Sequence, residues 1–287
     1  MAEPIRAFLS HPRSHERNLY VYPVLSRRAR GLSLGVNLSP HKACNMDCVY
    51  CQVDRTVPGA TGTVDLEVVE RELRDLLSRA VSGEIFAEEP FRPAPERLRR
   101  LADVAFSGDG EPTSFRGFPE ACLRVVRVKE TCGVPDLPVR IITNAIDLDR
   151  EEVREALRFL DGRGGEVWAK LDAGTEEHFR RVARTATPFA KILRNITETA
   201  RERPVVIQSL FCRLDGAPPP GAEIDAWLGR LGDILGGGGR IDLVQVYTTA
   251  RPPAERFVSP LSLEELEGIA ARVRSALGLR ADAYGPG

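Results

Sequence analysis

The sequence of 287 residues has no apolar run that approaches the ~20 residues needed for a membrane-spanning helix. Its opening stretch, MAEPIRAFLSHPRSHERN, also lacks the apolar core of a signal peptide. Neither a low-complexity tract nor an internal repeat is present in the sequence. These absences predict a soluble, cytoplasmic protein without a membrane partner.

Cysteine is scarce, and the net charge is close to zero. Six cysteines in 287 residues are too few for a disulfide framework. Cys122, Cys132 and Cys212 lie far apart, so we expect them to be structural. The 40 Lys and Arg residues nearly balance the 41 Asp and Glu residues, which leaves a net charge of -1. The whole chain therefore does not attract nucleic acid by its charge, although this balance permits a local basic patch.

The first thirty residues form a basic segment around an aromatic and aliphatic stretch at 19–25. Arginine and aromatic side chains suit an arm that meets an anionic substrate such as RNA. A solvated extension packed on the rest of the fold explains them equally well. We assign residues 1–30 as a basic N-terminal extension packed on the barrel described below. Its basic side chains are Arg6, His11, Arg13, His15, Arg17, Arg27, Arg28 and Arg30.

Three of the cysteines lie in one short loop at 44–51, with the spacing C-x3-C-x2-C. Three thiolates at this spacing can ligate three irons of a [4Fe-4S] cluster and leave the fourth iron open. Structural zinc is the alternative, but zinc normally takes four ligands, and His41 is the only imidazole nearby. The loop therefore favours an iron–sulfur site held by Cys44, Cys48 and Cys51.

Strand-like and helical stretches alternate from residue 31 onwards. The strand-like stretches are 32–38, 102–106, 138–143, 167–171, 205–211 and 241–247. The helical stretches are 65–80, 119–129, 149–160, 175–182, 188–201, 222–235 and 262–277. Six β/α units in a row predict a parallel sheet with helices outside it, and right-handed connections curve such a sheet into most of a barrel. We predict an α/β fold for residues 31–287, a partial (β/α)6 TIM-like barrel with parallel strands.

Polar residues follow the last apolar residue of each predicted strand. Ligands bind at the carboxyl ends of parallel strands in barrels and in doubly wound sheets alike, so this placement supports a site more firmly than it supports a barrel. Polar loops begin at strand ends in any protein, but the agreement of six strands favours a site. The residues are Cys44, Gly108, Asp109, Gly110, Glu111, Asn144, Lys170, Asp172, Gln208 and Thr248.

Two of these elements together resemble the radical S-adenosylmethionine (radical SAM) superfamily. Cys44, Cys48 and Cys51 match its cluster motif, including the aromatic Tyr50, and the Ser-Gly-Asp-Gly-Glu-Pro-Thr stretch at 107–113 looks like its Gly-Gly-Glu loop. The resemblance implies a [4Fe-4S] cluster and SAM as cofactors. It also implies an enzyme that cleaves SAM to methionine and a 5'-deoxyadenosyl radical, which abstracts hydrogen from a substrate.

Four stretches, at 33–40, 106–113, 170–174 and 247–255, look like the group that includes wyosine-tRNA synthetase and its uncharacterised bacterial relatives. This resemblance makes transfer RNA a candidate substrate. The wyosine enzymes carry a second cluster on cysteines before the motif, whereas residues 1–43 contain no cysteine here. Their pyruvate site therefore has no identified counterpart, and a peptide, a protein or a small metabolite stays open as the substrate.

The resemblance also implies roles for single residues. Gly108, Asp109, Gly110 and Glu111 are expected to hold the methionine end of SAM, and Asn144 and Asp172 its ribose hydroxyls. Lys170 is the candidate catalytic residue. It is expected to pair with the SAM carboxylate or with Asp172, to face the substrate, or to reach solvent. Gln208 and Arg251 are candidates for contacts with SAM or substrate, and Tyr247 is expected either to flank the adenine or to be an ordinary packing residue. An external one-electron reductant of the flavodoxin or ferredoxin type is implied as a partner, because no flavodoxin-like extension is present.

Two interpretations from other classes remain open. An electron-transfer or sensory iron–sulfur protein would explain the cysteines but not the Gly-Asp-Gly-Glu loop. A nucleic-acid-binding module with structural zinc would use the basic N-terminus, but it requires a fourth ligand that is not found near the cysteine loop.

Overall fold

The structure is a computed structural model, and it describes residues 15–253 and 255–286. Its strands are β1 (Val21–Ser26), β2 (Gly31–Val36), β3 (Leu101–Phe106), β4 (Val139–Thr143), β5 (Gly165–Lys170), β6 (Val205–Leu210), β7 (Cys212–Leu214), β8 (Ile241–Tyr247), β9 (Val258–Pro260) and β10 (Ala281–Tyr284). Eight of them form one sheet with the order β1-β2-β3-β4-β5-β6-β8-β10. A separate two-stranded sheet pairs β7 with β9.

Six strands of the large sheet, β2 to β6 and β8, correspond to the six predicted from the sequence. All six run parallel to their neighbours within this set. The prediction of an α/β fold with a partial TIM-like barrel is therefore confirmed. Two strands that we did not predict extend the sheet at its edges: β1 is antiparallel to β2, and β10 is parallel to β8.

The helices lie between the strands of the sheet, as the alternation predicts. They are α1 (Leu66–Ser82), α2 (Phe118–Thr131), α3 (Glu151–Leu160), α4 (Glu176–Ala183), α5 (Phe189–Glu202), α6 (Gly221–Gly236) and α7 (Leu263–Leu277). Several begin at a capping side chain. The Asp65 carboxylate accepts the backbone N–H groups of Glu67 and Val68, and Ser262 forms a reciprocal capping box with Glu265. These caps explain why the sequence located the helix starts closely.

The helices pack on the outer face of the sheet through one continuous apolar core. At α6, the fully buried Trp227 donates its indole N–H to the Leu171 carbonyl and the Ser209 hydroxyl, both at 3.1 Å. A Cβ built on Gly174 would lie 2.1 Å from the Trp227 backbone nitrogen. Glycine at this position therefore lets α6 approach the end of β5 closely.

The two edges of the large sheet meet through side chains, which shows that the sheet is curled. Arg27, in the turn between β1 and β2, donates to the carbonyl of Gly285 just after β10. Arg30, in the same turn, pairs with Asp282 of β10 at 2.9 Å. We call this contact between the two sheet edges the seam. The seam places the β1–β2 turn across the open side of the half-barrel.

The N-terminal segment is fixed from the helix side as well. The buried carboxylate of Glu72 on α1 accepts the backbone N–H groups of Leu19, Tyr20 and Val21 at 2.8 to 3.0 Å. Residues 21–26 are thus part of the sheet, whereas the division of the chain at residue 30 stays a prediction. Arg6, His11 and Arg13 lie outside the described residues, as does Ala254 of the 247–255 stretch. Across the described ranges, no helix is both long enough and apolar enough to span a membrane.

Candidate active site

The cysteine loop follows β2 and rests on the end of α4. The backbone N–H groups of Asp47 and Val49 donate to the carbonyls of Ala183 and Val182 at 3.1 and 2.9 Å. Val49 also packs in a small apolar cluster that includes the buried Cys212. Two separate parts of the chain therefore fix the loop, and Cys212 contributes to its support as an apolar side chain.

Cys44, Cys48 and Cys51 are half-buried free thiols. Burial raises the pKa of Cys44 and raises the pKa of Cys48 to about 12. Within residues 15–253 and 255–286, these thiols belong to no group of three ligand atoms lying within 4.8 Å of one another. Sulfurs around one tetrahedral zinc ion lie about 3.8 Å apart, because each Zn–S bond is about 2.3 Å. With His41 exposed as well, the loop does not match a formed single-zinc site.

The loop after β3, which carries Gly108 and Gly110, packs directly on the segment that leads into the cysteines. A Cβ on Gly108 would lie 2.4 Å from the Asn37 side-chain oxygen, and a Cβ on Gly110 would lie 2.1 Å from the Ala43 carbonyl oxygen. Asn37 also accepts the Asp109 N–H at 3.2 Å and donates to the Asp109 carboxylate at 2.8 Å. Only glycine fits at positions 108 and 110 while the two loops stay in contact.

Glu111 is buried, and hydrogen bonds satisfy both of its carboxylate oxygens. One oxygen accepts the Thr113 N–H and hydroxyl at 3.1 and 2.5 Å and the Thr143 hydroxyl at 2.7 Å. The other oxygen accepts the Asn144 N–H at 2.7 Å. Burial raises the pKa of Glu111, while these donors act in the opposite direction. The carboxylate therefore links the ends of β3 and β4.

Asn144 connects β4 to the cysteine loop. Its side-chain amide donates to the Asn45 side-chain oxygen at 2.6 Å, and Asn45 in turn donates to Asp147 at 3.0 Å. Because Asn45 is adjacent to Cys44, this pair of asparagines holds the first cysteine against the β4 loop. The ends of β2, β3 and β4 form one hydrogen-bonded unit.

Lys170 and Asp172, at the end of β5, form a half-buried ion pair with an N–O distance of 3.0 Å. The Lys170 ammonium also donates to the Tyr247 hydroxyl at 2.8 Å, and the Tyr50 hydroxyl donates to Asp172. Burial alone would lower the pKa of Lys170, but the Asp172 carboxylate and its other neighbours raise the pKa above its ordinary value. Lys170 is therefore an ammonium, and Tyr50, which donates to the Asp172 partner of Lys170, directly precedes Cys51.

Gln208 and Gln245 lie side by side on β6 and β8. Their side chains are fully buried, and the Gln208 amide donates to the Gln245 side-chain oxygen at 2.8 Å. The remaining Gln208 oxygen and Gln245 nitrogen are buried and have no hydrogen-bond partner in the described part of the chain. Gln208 is thus paired with β8, which the sequence did not indicate.

An interior cavity of about 310 Å³ brings many of the predicted residues together. Of the candidates, Cys44, Cys48, Gly108, Gly110, Glu111, Asn144, Lys170, Tyr247, Thr248 and Arg251 line it. Cys51, Asp109, Asp172 and Gln208 are not among its lining residues in the described ranges. The first two adjoin lining residues in the same loops, and Asp172 reaches the cavity only through Lys170.

The charged side chains that line the cavity are mostly cationic. Arg27, Arg28, Lys170 and Arg251 contribute positive charge, and Glu111 is the acidic residue among the lining side chains of the described chain. Because the whole chain has a net charge of -1, this excess is a local property of the cavity. The sequence showed the arginines at 27 and 28 but not that they face inward.

Sequence reasoning missed two further residues that position the site. Asn37 bridges the two loops after β2 and β3, and Asn45 bridges the cysteine loop and Asn144. Asn37 directly follows a strand, which is the signal used for the other candidates, and it could have been found in this way. Asn45 carries no such signal, since its role depends on the contact between two loops distant in sequence.

The chemistry of these donors fits an iron–sulfur cluster and SAM. Three free thiols face or adjoin one cavity, and the fourth position of a cluster has no protein thiol next to it in the loop. The two crowded glycines leave a wall of exposed backbone beside the thiols, where an extended ligand can approach. Glu111 supplies a carboxylate at that wall.

Comparisons with known proteins agree with this donor set. The family model of the radical SAM superfamily matches residues 38–210. A UPF0026 protein of Methanocaldococcus jannaschii is 33% identical over 167 residues, which is 56% of this chain and 43% of that protein. The chain thus spans less than half the length of this curated relative.

Two solved structures show the same fold. A radical SAM methyltransferase from Sphaerobacter thermophilus has a TM-score of 0.63 at 16% identity, covering 92% of this chain and 68% of that one. TYW1 with a lysine-pyruvate adduct bound has a TM-score of 0.50 at 17% identity, covering 86% of this chain and 74% of that one. At these identities, the likeness concerns the fold alone.

Proposed function

Because this chain belongs to the radical SAM superfamily, we propose that it binds a [4Fe-4S] cluster and SAM at the interior cavity and acts by radical chemistry on a substrate there. When bound, the reduced cluster supplies the electron that cleaves SAM to methionine and a 5'-deoxyadenosyl radical for hydrogen abstraction. One observation carries the proposal. The glycine loop after β3 packs against Ala43, the residue next to Cys44, and both loops open to one cavity.

Cys44, Cys48 and Cys51 hold the cluster in this proposal. Burial raises the pKa of the Cys44 and Cys48 thiols, so these thiolates are stable only when a cation replaces their protons. Iron provides that charge, and cluster binding therefore releases protons from the loop. Lys170, whose positive charge lowers the pKa of Cys48, supports the thiolate form.

Gly108 and Gly110 present backbone to the methionine end of SAM, and Glu111 balances its ammonium group. The raised pKa of Glu111 is consistent with a carboxylate that gains from a nearby positive charge. Asp109 holds this loop in place through Asn37. Asn144 and Asp172 remain our candidates for the ribose hydroxyls, and Gln208 for a contact with SAM or substrate. Of these three, Asn144 alone lines the cavity among the described residues.

Lys170 contributes a fixed positive charge beside the cysteines. In TYW1 a lysine carries a pyruvate adduct, and such an adduct requires an unprotonated amine. The Asp172 carboxylate and the Tyr247 hydroxyl instead favour the Lys170 ammonium. We expect pyruvate with sodium cyanoborohydride to give no adduct at Lys170 by peptide mass mapping. A modified Lys170 peptide would contradict this role.

A one-electron donor of the flavodoxin or ferredoxin type is the proposed partner. A second groove, of about 560 Å³, shares Cys44 and Met46 with the interior cavity and is lined by Lys42, Arg55 and Arg184. Asp47 is its acidic lining residue and pairs with both arginines at 3.5 Å. An acidic donor protein would complement this surface. Lys42→Glu should slow SAM cleavage with flavodoxin but not with dithionite, and equal slowing with both would contradict this docking site.

The substrate is the open part of the proposal, and we favour a small molecule over transfer RNA or a peptide. Arg27 and Arg28 line the interior cavity, and Arg30 pairs with Asp282 across the seam. Their charge is therefore not presented as an outer patch for a phosphate backbone. Transfer RNA binding that weakens steeply with salt, and is lost when all three are replaced by Gln, would restore RNA as the candidate.

The test is anaerobic reconstitution with iron and sulfide, followed by dithionite, SAM and detection of 5'-deoxyadenosine. We expect four irons per chain and measurable 5'-deoxyadenosine. Cys48→Ala should lose both, because the cluster then lacks one of its three thiolates. Cys132→Ala is the matched control, since Cys132 is half-buried and distant in sequence from the loop, and it should keep both.

Two outcomes would contradict the proposal. A protein with four irons that forms no 5'-deoxyadenosine would be an electron-transfer or sensory iron–sulfur protein. A protein that binds one zinc ion and no iron would be the zinc-containing module. A count near eight irons would not affect SAM cleavage, but it would mean that Cys122, Cys132 and Cys212 hold a second cluster.

A further inference from the structure

Arg28 is stacked on an aromatic ring and keeps one buried N–H group without a hydrogen-bond acceptor among the described residues. Its guanidinium lies over the Tyr247 ring, 4.5 Å from the ring centroid. Its Nη1 atom is buried and has no hydrogen-bond partner among the described residues. The Tyr247 hydroxyl on the same ring accepts a hydrogen bond from Lys170. Arg28 lines the cavity, so a cationic side chain with one unsatisfied N–H group lies beside a second lining cation, Lys170.

A buried charged donor without an acceptor is unfavourable, and the usual remedy is a bound acceptor. Glu111 is the acidic side chain that lines the cavity in the described chain, and its oxygens already accept bonds from β3 and β4 groups. Among the residues that the structure describes, the cavity thus offers Arg28 no free carboxylate. A ligand with an oxyanion would supply the missing acceptor, and guanidinium groups bind carboxylate and phosphate particularly well.

SAM does not account for this acceptor. Its one carboxylate belongs to the methionine end, which the proposed function places at the glycine loop after β3, on the opposite side of β2 from β1 in the sheet order. Arg28 comes from the β1–β2 turn and stacks on a residue of β8. The oxyanion must therefore belong to the other reactant.

We infer that Arg28, supported by Tyr247 and Lys170, binds an oxyanion group of a small substrate. This inference names the substrate class and rests on the proposed function for the statement that the bound anion reacts. In the proposed function SAM and the cluster share this cavity of about 310 Å³, which is already at the lower end of the range for small-molecule sites, about 300 to 1,000 Å³, so the substrate must be small. The acceptor is a carboxylate or a phosphate, since both match the planar guanidinium.

The test is isothermal titration of the reconstituted protein, without and with SAM, using malonate, inorganic phosphate and the uncharged malonamide. We expect one anion to bind one site per chain and malonamide not to bind. Tighter binding of malonate would identify a carboxylate substrate, and tighter binding of phosphate a phosphorylated one. Arg28→Gln should weaken the preferred anion by about tenfold or more, and Arg28→Lys by less, because lysine keeps the charge and loses the fork.

Arg30→Gln is the matched control. Arg30 lies in the same turn, but it pairs with Asp282 on the seam and is exposed, so its loss should change anion affinity by less than about twofold. Thermal melting of each variant checks that the turn remains folded. The inference would be overturned if Arg28→Gln bound the anion as tightly as the original protein does, or if malonamide bound as tightly as malonate.

The two proposals fail in different ways. If 5'-deoxyadenosine forms but neither anion binds through Arg28, the proposed function stands and the oxyanion site is wrong. If anions bind through Arg28 but no 5'-deoxyadenosine forms, the site stands and the proposed function is wrong. Salt-sensitive binding of transfer RNA in place of malonate and phosphate would also overturn the oxyanion site.

Discussion

Two walls of the same cavity differ in how their polar groups are satisfied. The first, which we call the SAM wall, is formed by Cys44, Gly110, Glu111 and Asn144 after β2, β3 and β4. There, the Glu111 oxygens accept four hydrogen bonds, and Asn144 bonds to the cysteine loop. The second, which we call the β8 wall, is formed by Arg28 and Tyr247, which line the cavity, together with the paired Gln208 and Gln245 of β6 and β8, which do not line it in the described ranges. It contains three buried polar atoms without a partner in the described residues.

In the SAM wall, hydrogen bonds within the protein satisfy the polar groups without a ligand, whereas in the β8 wall they do not. A group that holds its geometry through internal bonds loses little entropy when it binds a cofactor. An orphaned polar atom instead costs free energy until a ligand or water satisfies it, and that cost favours a ligand with the complementary group. We therefore expect changes in the SAM wall to affect folding and SAM cleavage together, and changes at Arg28 in the β8 wall to affect mainly ligand choice.

The largest effect is expected from Gly110→Ala in the SAM wall. The new Cβ would lie 2.1 Å from the Ala43 backbone oxygen, so the two loops must separate. A displacement of about 1 Å can cost about 100-fold in rate, and we expect a loss of this size in 5'-deoxyadenosine formation. Gly229→Ala is the control, because this helical glycine has no atom within 4 Å of its Cβ position, and it should stabilise the fold by about 0.5 to 1 kcal/mol. Full activity of Gly110→Ala would show that the loops do not need this contact.

Glu111→Gln should reduce stability by about 2 kcal/mol, since one buried donor loses its acceptor. If the amide oxygen faces the threonines, the new NH2 group opposes the Asn144 N–H. If the amide is flipped, the NH2 group opposes the Thr113 N–H. Urea unfolding of the metal-free protein measures the loss. Glu120→Gln removes an exposed carboxylate that pairs with Arg124 and should change stability by less than about 0.5 kcal/mol. If Glu111→Gln and Glu120→Gln lowered the stability by the same amount, the Glu111 hydrogen bonds would not be what holds the SAM wall together.

The sequence allowed the six parallel strands and the ends that carry the site to be predicted. Those strands are buried apolar runs that alternate with capped helices, so local pattern and final environment agree. The β1 strand was missed because Pro23 interrupts its pattern, although proline is tolerated here since β1 is an edge strand. The β10 strand has four residues, too few for a clear alternation.

The direction of Arg28 could not be read from the sequence. It depends on the β1–β2 turn, in which Arg30 has a positive φ of 56°, and on the contact of that turn with β10. Both are properties of the closed sheet. For the same reason, the sequence placed Asp172 and Gln208 at strand ends but not their pairing with Lys170 and Gln245. Strand-end position predicts which loop a residue enters, and long-range packing decides what it contacts there.

The β8 wall predicts a non-additive pair of substitutions. Gln208→Met alone leaves the Gln245 oxygen without its donor and should destabilise the metal-free protein by about 1 to 2 kcal/mol. Gln208→Met with Gln245→Met removes all four polar atoms, including the two orphans, and should restore or exceed the original stability. Urea unfolding of the four proteins in the cycle measures the coupling. Additive losses would indicate that ordered water satisfies the orphaned atoms.

The smallest effect is expected at Lys170, which lies between the two walls: its contribution to stability should not depend on pH near neutrality. Its folded-state pKa is raised above the ordinary 10.5, so its stabilising contribution is complete below that value and is lost only as the pH rises through the folded pKa. The stability difference between the original protein and Lys170→Met should therefore be constant from pH 6 to pH 9. Lys129 has a pKa lowered by burial, so its contribution should instead become more favourable as the pH rises towards 10.5. If the stability contribution of Lys170 instead became more favourable as the pH rises, as expected for Lys129, the Lys170 amine would lose its proton more readily in the folded protein. Lys170 would then be a nucleophile between the two walls and not a fixed positive charge.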